Sequence, residues 1–285
     1  MHDPTIFTLQ ACFIGALGMF VLSAAVRAVA AGRQSTEPPP VPRGRVATWP
    51  YQYVDLLWMS FIYFTFYAMS IGTARLVAAK TEMPITAQGL VQTIGFQAVL
   101  AGMTAMVMVW RIRPVAWLGL RWAGWRWVLL IAPAGVAAMW LLGVLLTLSG
   151  YMKWIDSLGV EKMQDSVKLL QNTNDPLTMG LMAVAAMFAA PLCEEIVFRG
   201  YLYPAAKKFT GPWVAGLCSA LVFAAAHNSL APLPPLFFFG CLLVLAYEWT
   251  GSLWAPVSMH FCFNSATVLI QVLARIYDIP LAPGP

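Results

Sequence analysis

The chain has 285 residues, of which 60% are apolar and only 10% are charged. Soluble domains average roughly 45–50% apolar and roughly 25% charged residues, and a soluble surface of this size needs more charge. The composition therefore excludes a soluble domain and a disordered chain. It also excludes a nucleic-acid-binding protein, because the basic residues behind the net charge of +5 cluster beside apolar runs. We predict an all-α, polytopic membrane protein with about eight transmembrane helices, since each span needs about 20 apolar residues.

Windows without charged residues mark the predicted helices in chain order. The eight predicted spans are Pro4–Val26, Leu56–Ala74, Met83–Trp110, Trp127–Met152, Pro176–Cys193, Pro212–Leu230, Leu236–Trp249 and Leu253–Ile276. Three prolines between 232 and 235 separate the sixth span from the seventh, because proline interrupts helices. We interpret the first window as a retained helix and not a cleaved signal peptide, since no basic residue precedes its long apolar run. The five cysteines lie in apolar stretches without a CxxC pair, which favours apolar packing over disulfides or a thiolate zinc site.

Basic residues predict the orientation. Ten of them fall in the loops after the first, third and fifth spans: Arg27, Arg33, Arg43, Arg45, Arg111, Arg113, Arg121, Arg126, Lys207 and Lys208. The positive-inside rule puts these loops in the cytoplasm and both termini outside it, and the membrane is predicted to be the bacterial inner membrane. Residues 33–50 are predicted to form a proline-rich cytoplasmic linker. Residues 153–175 fit either an amphipathic helix on the membrane surface or a plain extracytoplasmic loop.

Polar and ionisable side chains concentrate in the C-terminal half. An ionisable side chain at the centre of a bilayer costs roughly 2.5–3.5 kcal/mol and usually has a function. The set comprises Glu194, Glu195 and Arg199 near the end of the fifth span, His227 in the sixth, and His260 and Asn264 in the eighth. Glu248 ends the seventh span and is interpreted as an interfacial residue. We therefore expect the chemistry of the protein in this half of the chain.

Spacing separates the two glutamates. Glu195 and Arg199 are four residues apart with the acid first, which favours an ion pair on one helix face. Glu194 points about 100° away, so it does not share that arginine equally. Two adjacent carboxylates in a low dielectric titrate as a coupled pair, which suits one of them to act as a general base. The alternative is that both glutamates bind Arg199 and cap the helix.

The two histidines each have a neighbour on the same helix face. His227 follows Phe223 by four residues, and as a single histidine it is also compatible with an interhelical hydrogen bond. His260 and Asn264 are again four residues apart, which offers either two donors to one oxyanion or a polar clasp between helices. The predicted boundaries put His227 late in the sixth helix and His260 early in the eighth. The two histidines can lie at the same depth in the membrane only if these boundaries shift.

Together these groups suffice for amide hydrolysis without a covalent intermediate or cofactor. Two histidines and a glutamate are also a zinc-ligand set, although HExxH spacing is absent and three helices would have to contribute. Two alternatives to a metal-free hydrolase therefore stay open at this point. One is a metal-dependent membrane hydrolase, and the other is a non-catalytic scaffold, immunity protein or transporter.

Three motifs resemble those of one family in the same order. Glu194-Glu195-Ile196-Val197-Phe198-Arg199-Gly200 resembles the EExxxR motif of the CPBP (Abi) family, which is related to the type II CAAX prenyl endopeptidases. The motifs FxxxH and HxxxN are matched by Phe223–His227 and His260–Asn264. The resemblance covers roughly residues 177–270, and we expect residues 1–176 to form N-terminal helices beside catalytic helices in 177–285.

The resemblance implies an eight-helix intramembrane glutamate endopeptidase. Glu194 and His227 would activate water, His260 and Asn264 would stabilise the oxyanion, and Glu195, Arg199 and Phe223 would shape the site or hold substrate. The implied partners are membrane lipid and a membrane-associated peptide or lipidated protein, in some cases a prenylated CAAX peptide.

Overall fold

The computed structural model describes residues 3–33, 44–79, 86–160, 173 and 175–277, and these residues form helices and turns without any β-strand. In chain order the helices are α1 Pro4–Arg33, α2 Asp55–Ala78, α3 Ala87–Val109, α4 Pro114–Trp117, α5 Val128–Leu148, α6 Tyr151–Ser157, α7 Pro176–Thr210, α8 Pro212–Ala225, α9 Leu233–Thr250 and α10 Trp254–Ile276. The predicted all-α class is confirmed.

Among the described residues, seven helices are long and apolar enough to cross a membrane: α1, α2, α3, α5 with its preceding turn, α7, α9 and α10. The sixth predicted span instead forms the shorter helix α8, which has 14 residues and ends at Ala225. The chain is therefore a polytopic α-helical membrane protein, and its described part has seven long helices and one short apolar helix where eight spans were predicted.

Helix α7 is the main departure from the predicted boundaries. It does not end at Cys193 but continues to Thr210, so Glu194, Glu195 and Arg199 lie half-way along a 35-residue helix. Asp175 caps its start by accepting hydrogen bonds from the backbone N–H groups of Leu177 and Thr178. The helix passes the charged motif because the ion pair of Glu195 with Arg199 neutralises both side chains inside the protein.

Two short π-helical segments interrupt the α-helical pattern of α7. They cover Ala185–Ala189 and Ile196–Leu202, one on either side of the glutamate pair. Such segments are rare, and they occur frequently at functional sites because they re-aim side chains and release backbone carbonyls. Residues 197–207 are all buried, so the second half of α7 is the centre of the bundle.

Many of the basic residues meet at one end of the bundle, which we call the basic end. Here Lys207 donates to the backbone carbonyl of Val46, and Arg111 pairs with Asp55 at 2.6 Å. Lys207 is predicted in a loop, but it lies in the last turn of α7 and is buried, because Glu248 at the end of α9 pairs with it.

Two predicted segments fall largely outside the described residues. These are the proline-rich part of the linker, at 34–43, and most of the 153–175 segment, from 161 to 172 and at 174. The described start of the second segment belongs to α6, where the Tyr151 hydroxyl donates to the Ala231 carbonyl at 3.0 Å. This contact joins the end of α5 and α6 to the turn between α8 and α9.

Candidate active site

A buried ion pair forms the base of the candidate site. The Arg199 Nη1 group donates to Glu195 Oε1 at 3.0 Å, and both side chains are completely buried. The second nitrogen, Nη2, donates to the Gly240 carbonyl of α9 at 3.2 Å. His260 Nδ1 lies 2.9 Å from the same Glu195 oxygen, which brings α10 to the pair. The i, i+4 pairing predicted from the spacing is therefore confirmed.

The ring of Phe223 contacts the side chains of Arg199, His227 and His260. The Arg199 guanidinium lies 4.4 Å from the ring centroid, a cation–π distance. The imidazoles of His227 and His260 contact the same ring edge-on, at centroid distances of 4.9 and 5.9 Å. Because one aromatic side chain touches all three, residues from α7, α8, α10 and the turn after α8 share one small region.

Glu194 faces away from the ion pair, as its position one residue before Glu195 requires. Its Oε1 accepts a hydrogen bond from Nε2 of Gln97 on α3 at 3.3 Å. Its Oε2 is buried and has no hydrogen-bond partner among the described residues. One oxygen of this carboxylate is thus oriented by the protein, and the other has acceptor capacity to spare.

His227 lies just beyond the end of α8, and not inside a helix as the sequence predicted. Its Nδ1 is 2.8 Å from the Phe223 carbonyl, and since a carbonyl only accepts, Nδ1 carries the proton in the neutral ring. The next residue, Asn228, has a left-handed backbone with φ of 61°, a conformation in which asparagine is enriched. This turn replaces the predicted last helical residues, so the boundary of the sixth helix was wrong.

The two residues of the third motif have different partners. While His260 contacts Glu195, Asn264 Nδ2 donates to the Ala186 carbonyl at 2.8 Å. Ala186 belongs to the first π segment of α7, whose carbonyl is thereby bound from α10. An amide nitrogen has two hydrogens, so Asn264 holds the helix with one and keeps a second donor.

Gln97 is the residue that sequence reasoning missed. Its helix contains other glutamines, Gln88 and Gln92, and nothing in their spacing distinguishes Gln97 from them. Glu248 lies apart from the site at the basic end, where it accepts a hydrogen bond from the Tyr203 hydroxyl at 2.6 Å.

Within the described part of the chain, no three His, Cys, Asp or Glu side chains are grouped closely enough to hold a metal ion. All five cysteines are free thiols. Glu195 and His260 are joined by a hydrogen bond, and His260 and His227 both contact the Phe223 ring.

Comparisons with known proteins match the same part of the chain. The family model described as type II CAAX prenyl endopeptidase Rce1-like matches residues 176–266, a region that holds all three motifs. The membrane-embedded CAAX protease MroQ of Staphylococcus aureus (strain USA300) is 38% identical over 89 residues, which cover 29% of this chain and 36% of that protein. YdiL of Bacillus subtilis (strain 168) is 29% identical over 92 residues, which cover 32% of this chain and 38% of that protein.

The chain thus spans little more than a third of the length of these two relatives. No solved structure gives a significant match. The N-terminal helices, including the one that carries Gln97, lie outside the region matched by the family model. Residues 176–266 are thus similar to the Rce1-like type II CAAX prenyl endopeptidase family, the family that the three sequence motifs resemble.

Proposed function

We propose that this chain is an intramembrane endopeptidase that hydrolyses a peptide bond without a covalent intermediate. The observation that carries the proposal is the gathering of Arg199, His227 and His260 around the Phe223 ring, with Glu195 bonded to His260 at 2.9 Å. A cluster of charge and imidazole inside a membrane bundle is costly to build, which favours a chemical role. The match of residues 176–266 to the Rce1-like family model supports the same function.

Glu194 is the proposed general base. Glu195 already holds both Arg199 and His260 through its Oε1 atom, so we assign it the part of orienting these two side chains. Glu194 has one oxygen fixed by Gln97 and a second buried oxygen without a protein partner among the described residues. That second oxygen is the acceptor for a proton from the attacking water.

His227 is proposed to position the same water. Because Nδ1 carries the proton that faces the Phe223 carbonyl, Nε2 of the neutral ring is the acceptor. An acceptor on His227 and an acceptor on Glu194 together bind both hydrogens of one water molecule. Its oxygen lone pair is then directed at the substrate carbonyl.

His260 and Asn264 are the proposed oxyanion donors. Glu195 holds the His260 ring at Nδ1, and the other ring nitrogen, Nε2, is the proposed donor to the developing negative charge. The second amide hydrogen of Asn264 is a further donor. The water oxygen bonds to the carbonyl carbon, Glu194 takes the water proton, and the C–N bond breaks as that proton passes to the amine nitrogen.

The proposed substrate is a peptide associated with the membrane, and a prenylated CAAX-type peptide is the first to test. This choice rests on the description of the matched family and on the name of the staphylococcal relative. Membrane lipid would be the second partner, and the bacterial inner membrane, with both termini outside the cytoplasm, the proposed location.

The decisive experiment measures cleavage of a prenylated peptide by the purified chain in detergent or nanodiscs. We expect Glu194→Gln to lower kcat by about 100- to 10,000-fold, the usual effect of a general base, while Asp3→Asn, which removes a remote carboxylate at the start of α1, leaves kcat unchanged. Full activity of Glu194→Gln would favour a non-catalytic scaffold or immunity role.

The same assay with a chelator addresses metal dependence. We expect the activity to persist, because the proposed base and donors act on water and substrate directly. Loss of activity that added Zn²⁺ restores would establish the metal-dependent hydrolase instead.

A further inference from the structure

The backbone carbonyl of Gly200 is held by two side chains from the N-terminal half of the chain. The Tyr51 hydroxyl donates to it at 2.6 Å and the Trp117 indole Nε1 at 2.9 Å. The indole nitrogen also lies 2.9 Å from the Tyr51 oxygen, which closes a triangle of polar atoms. We call these two side chains and the Gly200 carbonyl the carbonyl clamp.

The clamp acts on the second π segment of α7. Gly200 lies within Ile196–Leu202 and directly follows Arg199, so its carbonyl is part of the backbone that aims the ion pair. Tyr51 and Trp117 are almost fully buried, at 1% and 7% exposure. Water therefore does not readily replace them. Losing either donor leaves the Gly200 carbonyl with one hydrogen bond fewer in a low dielectric, which is costly.

Position 200 is closely approached by the residue that follows Trp117. A Cβ at Gly200 would lie 2.9 Å from the Leu118 Cδ2 methyl, so the end of the Leu118 side chain would have to move. The glycine that follows the EExxxR motif here thus leaves room for the Leu118 side chain beside α7.

The clamp also reaches the helix that carries the oxyanion donors. Next to Trp117, the Leu118 carbonyl accepts a hydrogen bond from the Leu253 backbone N–H at 2.9 Å, just before α10 begins. Gly119 has φ of +62°, and a Cβ there would lie 1.9 Å from the Gly251 carbonyl oxygen. The end of α4 and the loop that follows it therefore contact both the π segment of α7 and the start of α10.

Tyr51 is fixed from its own side at the basic end. Lys208 donates to its backbone carbonyl, and its ring packs edge-on against Tyr201 at 5.7 Å. The Tyr201 hydroxyl in turn donates to Asp55 at 2.6 Å. Because its neighbours are themselves paired, the clamp is a rigid support and not a loose contact.

We infer that Tyr51 and Trp117 are positioning residues of the peptidase: they hold the register of the π segment through Gly200 and set the Glu195–Arg199 pair against His260. The inference rests on the proposed endopeptidase function. Neither residue touches substrate in this role, so their loss weakens catalysis by displacing charged groups. A displacement of about 1 Å in a site costs up to about 100-fold in rate.

The test compares Tyr51→Phe, Trp117→Phe and the double variant with the wild-type chain. Tyr63→Phe is the matched control, since the Tyr63 hydroxyl also donates to a backbone carbonyl, that of Phe13 at 2.8 Å, but away from the site. We expect the double variant to lose about 10- to 100-fold in kcat, with KM within about twofold. Tyr63→Phe should change neither constant.

Amide hydrogen exchange of residues 196–203 provides a readout that needs no turnover. We expect faster exchange there in the double variant and not in Tyr63→Phe. If exchange is unchanged, or if kcat of the double variant matches that of the control, the inference is overturned. If the wild-type chain cleaves no peptide, the proposed function fails, and the exchange experiment alone then decides whether the clamp holds the π segment.

Discussion

Replacement of Arg199 by leucine tests the buried ion pair most directly. The substitution removes the hydrogen bond to Glu195 at 3.0 Å, the bond to the Gly240 carbonyl at 3.2 Å and the cation–π contact with Phe223 at 4.4 Å. Among the described residues, His260 is then the remaining hydrogen-bond partner of the buried Glu195 carboxylate. Both partners are fully buried, so the charge left behind cannot be solvated by rotation towards water.

The expected loss of stability follows from this geometry. Removing one partner of a buried pair generally costs about 3–5 kcal/mol. His260 retains its contact with Glu195 and compensates part of the charge, so we expect a value near the lower limit, about 3 kcal/mol. For a chain of this size such a loss lowers Tm by roughly 6–12 °C.

Intrinsic tryptophan fluorescence during heating in detergent measures the effect. Arg126→Leu is the control, since Arg126 is exposed and its change is expected to stay within about 0.5 kcal/mol. The double variant Arg199→Leu/Glu195→Gln removes both charges and should be destabilised by less than the sum of the two single variants, with a coupling of about 1–3 kcal/mol. A Tm for Arg199→Leu equal to that of Arg126→Leu, or strict additivity in the double variant, would refute the reasoning.

Three further predictions concern other elements. Gln97→Met keeps the length of the side chain but removes the amide that donates to Glu194, the proposed base. We expect about a 10- to 100-fold loss of kcat in the cleavage assay, as for the loss of a hydrogen bond to a charged group. An unchanged kcat would show that this hydrogen bond does not support catalysis. Hydrogen bonds from the first turn of α7 hold the pKa of Asp175 below its usual range. At pH values above the ordinary carboxyl pKa, the ionised Asp175 cap therefore stabilises α7, and this stabilisation is lost as the pH falls through the lower pKa of the folded state. Asp175→Ala should lower Tm at neutral pH but not in strong acid. A difference in Tm that stays constant over this pH range would exclude the cap. Gly119→Ala should cost about 1–3 kcal/mol, because its φ is positive and its Cβ meets the Gly251 carbonyl, whereas Gly72→Ala, with open space around it, is the control expected to unfold like the wild-type chain.

Much of the fold can be predicted from the sequence, because the membrane imposes a simple rule on composition. A charge-free run of sufficient length has to be a helix, since the bilayer offers no partner for an unpaired backbone group. The rule fails where charges compensate each other: Glu195 and Arg199 look like the end of a span, yet as a pair they sit in the middle of α7.

Boundary errors near His227 have a similar local cause. The run of apolar residues continues past Ala225, but Asn228 adopts a left-handed conformation and ends the helix early. That choice depends on packing, including the Ser70 hydroxyl that donates to the Ala225 carbonyl at 2.6 Å from α2. Sequence periodicity does not record a hydrogen bond of that kind.

By itself the sequence determined the membrane class, the approximate positions of the long helices and the chemical identity of the motif residues, because hydrophobic length and short-range spacing encode them. Only the tertiary structure decided which residues from the N-terminal half of the chain contact the motifs. Gln97, Tyr51 and Trp117 contact Glu194 or Gly200 across large sequence separations. These contacts depend on how helices pack, and the same glutamine, tyrosine or tryptophan placed one helix face away would leave the composition and the motifs unchanged.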